Sequence, residues 1–180
     1  MSAESRARRI RSIRRDLERR LNRSASIIVL LGAGGKGLEE RRAISEALSK
    51  RKMIALVPED DLPPETSPSL AEPLVLARGD VDLVFLNVES WGTATELGQL
   101  QADPRVAHKL RILVRPEYHP VHSDVASYLS DLYLTHLVAF GHVYPVDGGR
   151  VARVPSADRL VLMIAERHRQ VRALYPDFIK

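Results

Sequence analysis

Hydrophobic and polar positions fall in blocks along this chain, and the period of the blocks switches repeatedly. Apolar runs at residues 26–31 (Ser-Ile-Ile-Val-Leu-Leu), 53–57 (Met-Ile-Ala-Leu-Val), 81–88 (Val-Asp-Leu-Val-Phe-Leu-Asn-Val) and 111–114 (Arg-Ile-Leu-Val) have the length and β-branched character of buried strands. A fifth strand is expected from 137–140 and 142–146, punctuated by Gly141. Helical spacing fills the gaps: 39–52 with Ile44 and Leu48 facing inward, 70–77 with Pro73 in its first turn or at a kink, and a helix from Thr93 to about Asp103. Pro104 interrupts, and 106–109 resumes the pattern. Ser123 is the expected cap of a helix over 125–134, with Asp124 in its first turn. Ser156 caps a long last helix, 157–174, with Leu160, Ile164 and Val171 on one face. Residues 59–68 read as a polar, proline-rich loop, either a lid or a long crossover, and 147–149 as a turn.

This alternation predicts a single α/β domain: a flavodoxin/Rossmann-like, five-stranded parallel sheet covered by helices on both faces. Strand order 2-1-3-4-5 would place the carboxyl ends of strands 1 and 3 side by side, where such sheets bind ligands. Asp80 and Asp82 would then flank the opposite, amino end of the third strand, as turn and strand-entry residues.

The first 25 residues break the pattern. Ile10, Ile13, Leu17 and Leu21 fall at i, i+3, i+7 and i+11, a narrow apolar stripe on a helix over 1–22 otherwise coated with arginine. Nine arginines against three acids give this segment a net +6. The chain as a whole carries +4, so residues 26–180 carry about −2. The basicity belongs to an arm (1–25), separate from the flavodoxin/Rossmann-like domain (26–180). A helix docked on the domain or a partner subunit, with a solvated basic face, is the plainer reading. Nucleic-acid phosphates are the sharper one. A membrane-surface helix is less favoured because the stripe has no aromatic anchor.

The 180 residues, 44% of them apolar, are enough for one domain with a full core. No run approaches a membrane span, and the arginine-rich start lacks the apolar core of a signal peptide. The absence of cysteine excludes disulfides, thiol nucleophiles and thiolate metal sites. A cytoplasmic setting is expected. None of the six histidines (His108, His119, His122, His136, His142, His168) has ligand spacing, so each is read as a surface or satisfied core residue. No metal or other cofactor is called for.

Two loops carry candidate chemistry. Gly32-Ala-Gly34-Gly35-Lys36-Gly37 follows the first strand. Its glycines permit close backbone approach, and its N–H groups can cradle an anion; a tight packing turn explains it equally well. It is not a Walker A loop, because no Lys-Ser/Thr pair follows at the required spacing. The second loop, after residue 88, runs Glu89-Ser90-Trp91-Gly92-Thr93-Ala94-Thr95-Glu96. Glu96 is expected in the first turn of the next helix. There it meets an anomeric carbon, or stabilises the charge that develops as a C–N glycosidic bond breaks. Thr93 or Thr95 would bond a ribose or phosphate, Trp91 would stack on a base or simply pack, and Asn87 or Glu89 would hold ribose hydroxyls. Thr93 and Glu96 also have capping-box spacing, so a purely structural role for Glu96 stands beside the catalytic one.

The segment Gly92-Thr-Ala-Thr-Glu-Leu-Gly98, after an apolar strand, resembles the Gly-Thr-x-x-Glu-Leu-Gly segment of the nucleoside 2-deoxyribosyltransferases, within the wider SLOG and TIR-like Rossmann-type group. The likeness extends loosely over 27–114. It implies that Glu96 is the nucleophile attacking the anomeric carbon and that Gly32, Gly34, Gly35 and Lys36 meet the sugar or phosphate side. It further implies that Gly92 lines the site and that the pocket is completed in a homo-oligomer. Where those enzymes carry an aspartate to grip the base, this chain has Glu89, Ser90 and Trp91. Lys36 suits a phosphate better than a bare nucleoside. Two functions are expected. One is cleavage or transfer at an N-glycosidic bond of a nucleoside, nucleotide or NAD. The other is a nucleotide-sensing module without turnover, whose basic arm contacts nucleic acid or another subunit.

Overall fold

The computed structural model describes residues 3–124, 126–147 and 153–178. The apolar runs form strands Ile27–Leu31 (β1), Ile54–Leu56 (β2), Val81–Asn87 (β3), Leu110–Val114 (β4) and Val143–Pro145 (β5). All pair in parallel, in the order β2-β1-β3-β4-β5. The expected α/β architecture and strand order are therefore present.

Among the described residues, eight α-helices connect and flank the strands: Ala3–Arg23 (α1), Lys36–Ser49 (α2), Pro58–Asp61 (α3), Pro68–Leu76 (α4), Trp91–Ala102 (α5), Pro104–Ala107 (α6), Tyr128–Phe140 (α7) and Ala157–Leu174 (α8). Side chains alternate across a strand, so each strand feeds two cores. Val29, Leu31, Val84, Leu86 and Ile112 pack against Leu76 of α4, Leu97 and Leu100 of α5, and Tyr133 of α7. Ile28, Leu30, Leu83, Phe85 and Leu113 pack on the opposite face against Ile44 and Leu48 of α2 and Leu160, Val161 and Ala165 of α8. Burial on both faces is why β1, β3 and β4 read as continuous apolar runs. Full burial of one such side chain stabilises the fold by about 1.5–3 kcal/mol.

At the amino edge, the backbone N–H of Ile27 donates to Asp82 at 2.9 Å, and Asp82 pairs with Arg172 of α8. Asp80 pairs with Arg78 at 2.8 Å. Both aspartates are strand-entry residues, as expected. α1 touches the domain through α8, and its residues 4–20 are exposed apart from Ala7. No described helix is long and apolar enough to cross a membrane.

Several expected boundaries move. Residues 137–140 are the last turn of α7 and not a strand, so β5 is only Val143–Pro145. Tyr133 and His136 are buried, and Leu129, Leu132 and Leu137 pack against the same core. This spacing of three and four is helical, and the short run 137–140 concealed it. Gly141 ends α7 at φ 72°, a left-handed conformation that glycine adopts without strain. The cap of α7 is Ser127, whose hydroxyl accepts from Ser130 N–H at 3.1 Å, and not Ser123. The expected helix start at Val125 lies outside the described residues, as do Met1, Ser2 and the turn glycines Gly148 and Gly149. α2 begins at Lys36, three residues earlier than expected, directly after the glycine loop. The proline-rich loop is interrupted by one turn of helix, α3, because Pro58 at its first position is pre-set for helical φ. α5 begins at Trp91 and not Thr93, which places Glu96 in its second turn.

Candidate functional site

β1 and β3 end side by side, with Leu31 opposite Leu86. The chain leaving β1 turns into α2 on one face of the sheet, while the chain leaving β3 turns into α5 on the other. The carboxyl edge therefore splits open between these loops. A crevice of about 710 Å³ occupies the α2/α8 side of the split. Its inner wall is apolar (Ile44, Phe85, Leu113 and Val161). Its polar rim comes from Gly32, Lys36, Asn87, Glu89, Arg115, Glu117 and Asp158. An apolar wall with convergent polar groups at a switch point is the usual form of a small-molecule site.

Gly35 holds the first loop at φ 59°, a value that disfavours any residue with a Cβ. Its carbonyl accepts from the N–H groups of Leu38 and Glu39 at 3.0 and 3.2 Å, which fastens the loop to α2. Lys36, expected to favour a phosphate, is paired with Glu40 at 3.8 Å, and Arg115 with Glu117 at the same distance.

The sequence-predicted residues divide into two groups. Gly32, Lys36 and Asn87 line the crevice, while Gly34 and Gly35 stand exposed at the loop tip. Trp91, Gly92, Thr93, Thr95 and Glu96 belong to α5 and lie off the crevice wall. Trp91 is 89% exposed, so it is not a core packing residue. The capping box is Ser90 with Thr93, and not Thr93 with Glu96. The Ser90 hydroxyl accepts from Thr93 N–H at 3.3 Å, and the Thr93 hydroxyl accepts from Ser90 N–H at 3.0 Å. The Thr95 hydroxyl donates to the Trp91 carbonyl at 3.0 Å. Both threonines thus spend their hydroxyls on the helix start, and Glu96 is released from capping. Ser90→Ala is expected to cost about 1 kcal/mol of stability, read as a lowered urea midpoint with unchanged slope.

The residue that joins the two halves is Arg41, which the sequence reading did not single out. It lies on α2 and is buried. Its guanidinium donates to both oxygens of Glu59 at 2.7 Å. It also donates to the carbonyls of Leu30, Gly32 and Ala33 at 3.3, 3.1 and 2.9 Å, so it ties α3 to the glycine loop. Its Nε–H has no hydrogen-bond partner among the described residues. That atom would stand 3.4 Å from a Cβ placed on Gly32, so the glycine leaves room beside it. The sequence signal was available: Arg41, Ile44 and Leu48 fall at i, i+3 and i+7, an arginine on an apolar helix face.

Beyond Arg41 lie three carboxyl groups, Glu59, Glu72 and Glu96. Burial is the largest influence on Glu59 and pushes it up, but its hydrogen bonds to Arg41, a backbone hydrogen bond and the Arg41 charge together outweigh this and hold it below the ordinary glutamate value. Burial, then the charge of Glu59, raises Glu72. Burial, with repulsion from Glu72 and Glu59 against attraction by Arg41, lifts Glu96 to about 7. A carboxyl at that value changes charge near neutrality, a property common at catalytic sites.

His119 and His136 are buried and donate through Nε2 to the carbonyls of Val143 and Leu110 at 3.1 and 3.2 Å. Among the described residues no group of three or more His, Asp or Glu side chains is placed to hold a metal ion. Neither a protein-family model nor a curated protein sequence matches this chain.

Proposed function

We propose that this chain binds a nucleoside or nucleotide, NAD included, across the split carboxyl edge and cleaves or transfers at its N-glycosidic bond, with Glu96 as nucleophile. The observation that carries this reading is the position of Glu96. Its carboxyl, poised at about 7, is close enough to feel the charge of Arg41, and Arg41 also lines the crevice. The apolar wall takes the base, Asn87 bonds the sugar, and the anomeric carbon reaches Glu96. The carboxylate attacks that carbon, and the C–N bond breaks with its electron pair leaving on the base: the cationic nicotinamide of NAD departs neutral, while a purine or pyrimidine departs as an anion and takes a proton from water. Water or a second base next attacks the glycosyl ester and frees Glu96.

The test is to incubate the protein with NAD, deoxynucleosides and nucleoside monophosphates and to separate free base by chromatography. Base release by the wild type and none by Glu96→Gln is the expected result. Binding without release in both proteins would sink the enzyme reading. It would support the second one, a nucleotide-sensing module, which is favoured by the absence of Glu96 from the crevice wall itself.

A further inference from the structure

The arm and the carboxyl edge each present surface that no other described residue covers. On α1, Ile10, Ile13 and Leu17 are 56%, 54% and 43% exposed. Three arginines of α1 pair within the helix (Arg8 with Glu4, Arg14 with Glu18, Arg19 with Asp16). Arg6, Arg9, Arg11, Arg15, Arg20 and Arg23 have no acidic partner among the described residues. Arg6, Arg9 and Arg20 sit three or four residues from a member of the apolar stripe, so they share its face.

The carboxyl edge offers the complement. Trp91 opens α5 and Tyr128 opens α7; Tyr118 and Val121 follow β4. Their exposures are 89%, 78%, 46% and 70%. Glu89 and Glu117 are exposed beside them. Glu89 forms no ion pair among the described residues, and Glu117 meets Arg115 only at 3.8 Å.

We infer that α1 of one copy docks on the carboxyl edge of a second copy. Its apolar stripe would lie on the exposed aromatic residues, and its free arginines would meet Glu89, Glu117 and the ring faces. Arginine over an aromatic face and opposite a carboxylate is a favourable contact, and both residue types are enriched in interfaces. The arm cannot serve its own subunit in the observed fold. It ends just before β1, at the amino edge, and touches α8, while the aromatic residues lie at the far end of the strands. At 21 residues it is about 31 Å long, enough to cross a domain edge. A nucleic acid would satisfy the arginines but neither apolar surface. An anionic bilayer would satisfy α1 but not the carboxyl edge, which lies at the opposite end of the strands. A second copy satisfies all of them, and a two-fold axis lets each chain give one arm and receive one.

The chain has a single tryptophan, Trp91, so its emission reports on the docking surface alone. Light scattering and tryptophan fluorescence of the full chain are expected to show two chains per particle and a blue-shifted emission at low salt. Both signals should weaken near 1 M salt, where charge attraction is screened within about 3 Å. Ile13→Asp and Glu117→Lys alter exposed residues only, and circular dichroism confirms that they fold. Each is expected to give a one-chain particle with red-shifted emission. A wild type that stays monomeric at tens of micromolar overturns the inference. So does a dimer whose Trp91 emission is unshifted, or an arm that binds duplex nucleic acid or anionic vesicles while the protein does not self-associate.

Discussion

Arg41→Met is expected to lower the free energy of unfolding by about 3–5 kcal/mol, the range for breaking a buried ion pair from one side. The guanidinium holds both oxygens of Glu59 at 2.7 Å and three backbone carbonyls at 2.9–3.3 Å. Methionine fills much of the space but donates nothing, so Leu30, Gly32 and Ala33 lose a partner and Glu59 loses its counter-charge. The Glu59 side chain keeps 40% of its exposure, which lets water soften the loss and places the result toward 3 kcal/mol. Lysine does not substitute, because one ammonium cannot reproduce the planar fork. Urea titration checks the value. In the double variant Arg41→Met with Glu59→Leu, the penalty should be smaller than in Arg41→Met alone, because no charge is then left unpaired.

Glu96→Gln is expected to act in the opposite direction on stability and to abolish base release. The ordinary glutamate value is 4.5, and the folded protein lifts Glu96 to about 7. Between those values the folded state binds more protons at this position than the unfolded chain, so stability falls as pH rises through that window. The penalty is complete above about pH 7 and amounts to about 3 kcal/mol at 1.36 kcal/mol per unit of pKa. Glutamine cannot ionise and escapes it. The variant should therefore match the wild type near pH 4 and exceed it by about 3 kcal/mol near pH 8, in denaturation curves taken across that range. Catalysis needs the ionised form for nucleophilic attack, so wild-type base release should rise with pH through about 7. A stability gain together with lost activity marks a residue kept for function at the expense of the fold.

Much of this fold was legible because buried parallel strands write themselves as apolar runs. Residues 27–31, 81–87 and 110–114 are such runs, and the helices between them require crossovers that fix a parallel sheet. Legibility failed where one short run suits two structures. Residues 137–140 are apolar enough for a strand, but their inward partners Leu132, Tyr133 and His136 lie on a helical face. At the candidate site, Gly32 and Lys36 of the glycine run and Asn87 near the end of the third strand were readable as residues at a switch point, and they line the crevice. The roles of Thr93 and Thr95 were not readable, because a helix starting two residues earlier turns both hydroxyls inward to the backbone. Arg41 was missed because an arginine in an amphipathic helix is by default assigned to solvent. Only the positions of Ile44 and Leu48 on the same face reveal that it is buried.

The two outermost strands limit how this molecule can assemble. β2 and β5 are three residues each, and β5 ends in Pro145, which has no N–H to offer a neighbour. Short strands and proline at a sheet border are the common defences against strand-by-strand growth between chains. The sheet is therefore a poor template for adding strands from another molecule, and aggregation through a continuous ladder is disfavoured. Any specific association must be made by side chains on helices and loops, so point substitutions on the surface can tune it while the sheet stays intact.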